Sequence, residues 1–248
     1  MKSLGQCIRS DGGRFLHQPF WLIAVIGVAV SLQVASRVNH GYGVIFQLEF
    51  AAQMTPAIFT YIFCALAFSQ TIAEDLENRY VRYYLIRESR TRYVASKTWI
   101  IFAGAMLCMM AGTVVFVLVC RVRMPWIEQI SIEEGFEGAY VSLLRNGHCF
   151  LYCVLYSFHL GLLAGILSVI SAFMSLFVRN KVMTLALPAL LYCILGQIEI
   201  CGVGINALLP TFPRISNDIL NLLACLAVTA GVVSVLAAGM YARLAKWL

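Results

Sequence analysis

The chain alternates long apolar runs with shorter polar connections. Six runs stand out, at about residues 19–36, 56–73, 98–120, 149–177, 182–201 and 218–242. Each comes close to the ~20 mainly apolar residues that carry an α-helix across the hydrocarbon core of a bilayer. The pattern predicts an all-α membrane protein of six transmembrane helices, forming a single transmembrane domain over residues 1–248. Pro56 opens the second run, where the missing N–H of a proline costs nothing. Residues 1–18 are polar and basic, and the run behind them reaches Ser36 without an Ala-x-Ala cleavage pattern. The first run is therefore expected to remain as a span behind a short cytoplasmic interfacial segment.

The connections differ in character. Arg37 to Thr55 reads as a mixed loop with Tyr42, Phe46 and Phe50. Arg121 to His148 carries Glu128, Glu133, Glu134 and Glu137, and its Trp126, Ile127, Ile130 and Ile132 suggest a short amphipathic piece at the interface. Residues 202–217 are apolar with Pro210 and Pro213, too short to span and too apolar for a free loop, so a re-entrant or interfacial hairpin is expected.

Composition makes lipid the natural solvent. The chain is 61% hydrophobic and only 12% charged, where soluble domains average about 25% charged residues. Charge then orients the spans. With the N-terminus inside, the segments 1–18, 74–97, 178–181 and 243–248 hold 13 of the 18 basic residues. That is the positive-inside bias, and an even number of spans places the C-terminus inside as well. The nine cysteines include no C-x-x-C pair, and Cys64, Cys108, Cys153, Cys193 and Cys225 lie within apolar runs, where a thiol acts as a small hydrophobe.

One connection is unlike the rest. Glu74 to Lys97 holds ten charges in 24 residues, a third of all charges in the chain. The acids Glu74, Asp75 and Glu77 come first, where the start of a helix favours them. Arg79, Arg82 and Arg87 follow, interleaved with Tyr80, Tyr83, Tyr84 and Leu85. Leu76, Tyr80 and Tyr83 or Tyr84 recur at helical spacing, so one face packs on the bundle while the charges face outward. An ordinary positive-inside loop explains the arginines but not the acid-first order or the aromatic stripe.

The stretch FSQTIAEDLENRYVRYYLIRESRTRYVASK, with Ser89, Arg90, Tyr93 and Lys97 at its later positions, resembles the ABC-2 type transporter permeases. Many members carry Gly and Thr where this chain has Asn78 and Arg79. The resemblance extends to the size, the six spans and the apolar outer hairpin. It implies a type V exporter-like transmembrane domain, with Glu74, Asp75, Glu77, Arg79, Arg82, Arg87 and Arg90 docking on a separate ABC ATPase subunit. It further implies a second permease subunit, as a homodimer or heterodimer, in the bacterial plasma membrane, with export of an antimicrobial peptide or lipid-like molecule. This chain would itself be non-catalytic. ATP and Mg would belong to the partner, since G-x-x-x-x-G-K-[ST] is absent here. Membrane lipid is an expected partner and nucleic acid is not. The alternative class is a non-transporting membrane protein, such as a sensor partner or assembly factor. An intramembrane enzyme has no support, because HExxH and GxSxG are missing.

Other residues invite two readings each. Gly161, Gly165 and Ser168 form a small-residue stripe that fits close helix packing, within the chain or between chains. Glu199, near the outer end of the fifth run, fits either a cavity-lining group or a hydrated interfacial one. His148, Cys149 and Cys153 have a spacing that suits a metal, yet a fourth ligand is missing, and incidental spacing is the plainer account. Cys120 and Cys149 lie at adjacent outer ends, where a disulfide is geometrically conceivable. His159 stands alone in the fourth run. The acidic outer segment suits cationic peptides, or simply keeps a loop hydrated.

Overall fold

Apolar runs in a chain with few helix breakers form helices, and the described residues are 88% helical, with no strand among them. The computed structural model describes residues 5, 12–13, 19–37, 43–66, 69, 71–78, 80, 89–127, 139–178, 180–197, 208 and 217–245. In chain order the helices are α1 (Phe20–Ser36), α2 (Val44–Gln53), a 3-10 turn (Thr55–Ala57), α3 (Ile58–Leu66), α4 (Thr71–Glu77), α5 (Arg90–Arg123), α6 (Val141–Arg145), α7 (Cys149–Met174), α8 (Lys181–Gln197) and α9 (Asp218–Ala245).

Three of these, α5, α7 and α9, are long and apolar enough to cross a membrane. The first, second and fifth apolar runs correspond to the shorter apolar helices Phe20–Ser36, Thr55–Leu66 and Val182–Gly196. The chain is thus a membrane-embedded helical protein.

Several boundaries depart from the sequence pattern. The connection expected as a loop from Arg37 to Thr55 contains α2, which buries Val44, Ile45, Gln47, Leu48, Ala51 and Ala52. Those residues recur on one helical face, so the segment packs instead of dangling. The second apolar run is not one helix to residue 73: α3 ends at Leu66 and a separate helix begins at Thr71. The third extends eight residues earlier than residue 98, to Arg90, so its 34 residues span about 51 Å, more than a hydrocarbon core requires. Pro188 lies inside α8, where its ring removes one backbone hydrogen bond.

Helix α7 is the hub, with 17 of its 26 residues buried. Its Gly161 and Gly165 face α5. A Cβ at Gly165 would lie 2.6 Å from the Phe102 ring, and one at Gly161 would lie 3.0 Å from Met106. Advancing four residues on α7 therefore means retreating four on α5, so the two run antiparallel. Helices α1 and α5 run parallel, since Cys108 Sγ meets the Trp21 carbonyl and Cys120 Sγ meets Gln33 Oε1, each at 4.0 Å. Gly112 lets α5 approach α1 until a Cβ would sit 2.6 Å from Val28 and 2.9 Å from the Val25 carbonyl. Helix α9 runs parallel to α7, with Gly239 against Phe173 and Arg243 against Phe177. It is covered on one side only, and Ile219, Leu223 and Val235 stand exposed.

Candidate functional site

Polar side chains join separate elements in several places, and the ion pair among them lies at one end of the bundle. At the end where α5 begins, the short helix α4 lies against α5. Asp75 points inward, and its Oδ2 lies 2.8 Å from Lys97 Nζ, with the two side chains 7% and 8% exposed. The Tyr93 hydroxyl donates to the same Oδ2 at 3.1 Å. Tyr93 and Lys97 are four residues apart on α5, so both reach α4 from one helical face. The Lys97 ammonium also lies 5.9 Å from the centre of the Tyr93 ring. An ion pair taken out of water needs geometry of this kind to repay its desolvation.

Asp75 therefore faces inward and not outward as expected, with Lys97 and Tyr93 among its partners. The neighbouring acids are placed differently, with Glu74 partly buried and Glu77 exposed. Arg90 is exposed as the first residue of α5, following Ser89 in extended conformation. Arg79, Arg82 and Arg87 lie outside the described residues, as does Glu199.

Further polar contacts lie toward the opposite end. His159, expected as a lone histidine, is fully buried and bonded at both ring nitrogens: Nδ1 to the Leu208 carbonyl at 3.1 Å, and Nε2 to the Tyr140 hydroxyl at 2.8 Å. A carbonyl only accepts, so Nδ1 carries the proton, and in the neutral ring Nε2 accepts from Tyr140. His159 lies ten residues into α7, so the Leu208 carbonyl reaches about 15 Å along that helix. Of the expected outer hairpin, only Leu208 and Asn217 are described.

Tyr140 sits at φ 65° in the left-handed region, a conformation that costs a bulky residue about 1–3 kcal/mol. Its N–H donates to Asp218 Oδ1 at 2.9 Å, and the Ser142 hydroxyl donates to Asp218 Oδ2 at 3.2 Å. Asp218 is spared from capping its own helix because the Asn217 side chain accepts from the Ile219 N–H at 3.1 Å. Burial, with Cys225 and Asp218 nearby, pushes the Tyr140 hydroxyl up to about 12. Beside this knot, Glu49 of α2 accepts from the Tyr152 hydroxyl of α7. Burial raises the Glu49 carboxyl above its ordinary range, and the Tyr152 bond draws it partly back.

The remaining candidates resolve simply. Cys120 and Cys149 are free thiols. No group of three or more metal-ligating side chains occurs among the described residues, so His148, Cys149 and Cys153 build no metal site there. Ser168 Oγ is buried without a hydrogen-bond partner among the described residues. Glu128, Glu133, Glu134 and Glu137 lie outside those residues.

Comparison with protein-family models, curated proteins and solved structures returns no match.

Sequence reasoning passed over Tyr140, Glu49 and Tyr152, and it named Tyr93 only as a position of the family resemblance, without its contact to Asp75. A signal existed for Tyr93, a tyrosine one helical turn before a lysine at the head of an apolar run. Tyr140 and Tyr152 have no comparable signature, because their partners are 19 and 103 residues distant.

Proposed function

We propose that the chain is the permease subunit of an ATP-binding cassette exporter of the ABC-2 type, acting with a separate ATPase that hydrolyses ATP. The observation that carries this reading is the Asp75–Lys97 pair at the base of the most charged segment in the chain. A coupling device needs a charged face for the partner and a stiff connection to a long helix. Glu77 and Arg90 supply exposed charge, and the buried pair ties α4 to α5. A displacement of α4 is then passed to a continuous helix of 34 residues, so closure of the ATPase tilts α5 against α1 and α7. The exposed apolar faces of α8 and α9 suit lipid and a second permease subunit, homodimeric or heterodimeric. A bacterial plasma membrane follows from the same reading, as does export of an antimicrobial peptide or lipid-like molecule.

The test is a search for an ABC ATPase encoded beside this chain, followed by co-expression of the two. The pair is expected to co-purify and to hydrolyse ATP faster with substrate present. A Glu74→Lys/Glu77→Lys variant should accumulate normally yet lose the ATPase. Capture that survives this reversal would reject the docking face. Absence of any ATPase partner would favour a non-transporting membrane protein.

A further inference from the structure

We propose that α8 is hinged at Pro188, so that its C-terminal half moves with α3 while its N-terminal half stays with α7, and that Ser171 of α7 supplies the hydrogen bond that makes this break tolerable. The sequence of α8 creates the break. Pro188 lies inside the helix and has no N–H to offer the carbonyl four residues earlier, that of Thr184. In an apolar setting a carbonyl without a donor is costly, and a proline persists there where a neighbouring side chain satisfies the freed group. The donor comes from another helix: the Ser171 hydroxyl donates to the Thr184 carbonyl. Ser171 and Thr184 are both buried. On the same helix Ser157 bonds instead to its own Cys153 carbonyl, at 2.6 Å. Ser171 thus departs from the usual habit of a helical serine at the one carbonyl of α8 that Pro188 leaves unserved.

The two halves of α8 hold on to different neighbours. Before the proline, the Thr184 N–H donates to the Asn180 carbonyl at 3.1 Å and the Val182 N–H to Asn180 Oδ1 at 3.0 Å. These bonds close the first turn, and Ser171 ties it to α7. After the proline, Tyr192 stacks on Tyr61 of α3 with ring centres 4.7 Å apart, and the two hydroxyls are hydrogen-bonded. Tyr61 is buried, so this contact joins the C-terminal half of α8 to the packed face of α3. Leu190 and Ile194 of the same half stand exposed, and a face turned toward lipid shifts without breaking a packed seam. A helix anchored on two different partners, with its backbone ladder interrupted between the anchors, bends at the interruption. The hinge belongs to the fold and needs no ATPase, so its failure and that of the export reading are separate results.

The full chain is reconstituted in phosphatidylcholine nanodiscs and read by thermal unfolding and by amide hydrogen exchange with mass spectrometry. Ser171→Ala should unfold about 2–10 °C lower than wild type. In a Pro188→Ala background the same substitution should cost nothing, because the new N–H serves the Thr184 carbonyl from within α8. If Ser171→Ala alone fails to accumulate, its rescue by Pro188→Ala is the expected result. Movement is tested at the other anchor. Tyr192→Leu should speed exchange about tenfold over residues 189–197 and over α3, and leave residues 182–187 and α7 unchanged. With Pro188→Ala the ladder is continuous, so the acceleration should spread into residues 182–187. Tyr192→Phe, which keeps the ring and loses the hydroxyl, should give a smaller effect in the same residues and carries the comparison if Tyr192→Leu does not accumulate. A Ser171→Ala loss that is equal with Pro188 and with Ala at that position would overturn the proposal. So would an acceleration that runs through both halves of α8 while Pro188 is present.

Discussion

Removing one member of the Asp75–Lys97 pair should destabilise the chain far more than removing both. The two charges meet at 2.8 Å with both side chains more than nine-tenths buried. Lys97→Met leaves a carboxylate out of water, still accepting from Tyr93 but with its counter-charge gone. Asp75→Leu leaves an ammonium in the same place. Breaking a buried pair in this way costs about 3–5 kcal/mol. At roughly 2–4 °C per kcal/mol for a chain of this size, each single variant should unfold about 6–20 °C lower. The double variant Asp75→Leu/Lys97→Met replaces the pair by apolar groups of similar volume, a change that is often neutral. It should recover most of the loss, which for two single losses of that size means a coupling energy of about 5 kcal/mol or more between the two sites. Thermal unfolding in nanodiscs, followed by tryptophan fluorescence, measures all four corners of the cycle. Single variants within about 1 kcal/mol of wild type, or a double variant whose loss is the sum of the singles, would refute a buried, mutually compensated pair.

Gly112→Ala should cost about 1–3 kcal/mol by overpacking, because its Cβ would meet the Val25 carbonyl at 2.9 Å and the backbone cannot swing aside. Gly231→Ala on α9, with nothing within 4 Å of the new methyl, should be neutral or slightly stabilising in the same thermal assay. His159→Phe strands the Tyr140 hydroxyl and the Leu208 carbonyl, at about 1–3 kcal/mol for each group left unsatisfied. Hydrogen exchange should then report loosening at residues 139–145, while the end bearing Asp75 stays protected. Glu49 is held above its ordinary value of 4.5, so the fold binds its proton more tightly than the unfolded chain does. That contribution is fully present below pH 4.5 and is lost as pH rises through the folded value. Wild type should therefore lose thermal stability as pH climbs above 4.5, and Glu49→Gln should flatten the profile.

The apolar runs were legible because length and hydropathy alone decide them. Helix α2 was not, since its six buried residues are spread among Phe46, Glu49, Phe50 and Gln53. A helix of ten residues with three polar side chains, Gln47, Glu49 and Gln53, reads as a loop until it has a neighbour to pack on. The early start of α5 was hidden for a related reason: Arg90, Arg92 and Lys97 lower the local hydropathy without opposing helix formation. The charge cluster from Glu74 onward was plain in the sequence, but the inward turn of Asp75 was not. On a seven-residue helix, adjacent acids differ by about 100° in direction, and only the position of α5 decides which one faces it.

A division of labour underlies these contacts. Along the helix interiors, Ser31, Thr113, Ser157, Thr229 and Ser234 each bond to the carbonyl four residues earlier on their own helix. Such bonds satisfy a hydroxyl in an apolar setting without linking two elements. Close packing at Gly112, Gly161 and Gly165 holds α5 against α1 and α7. Four polar bonds fasten shorter segments onto the long helices: Asp75 to Lys97, Glu49 to Tyr152, and Asp218 to Tyr140 and Ser142. Dispersion contacts at a close-packed seam fade over fractions of an ångström, so such a seam resists separation of its helices. A buried ion pair resists separation too, but it also keeps its two elements in one register. Under the proposed export cycle, α4 must consequently move with α5, which makes Asp75 and Lys97 determinants of transmission, while Arg90 at the exposed start of α5 faces outward for docking.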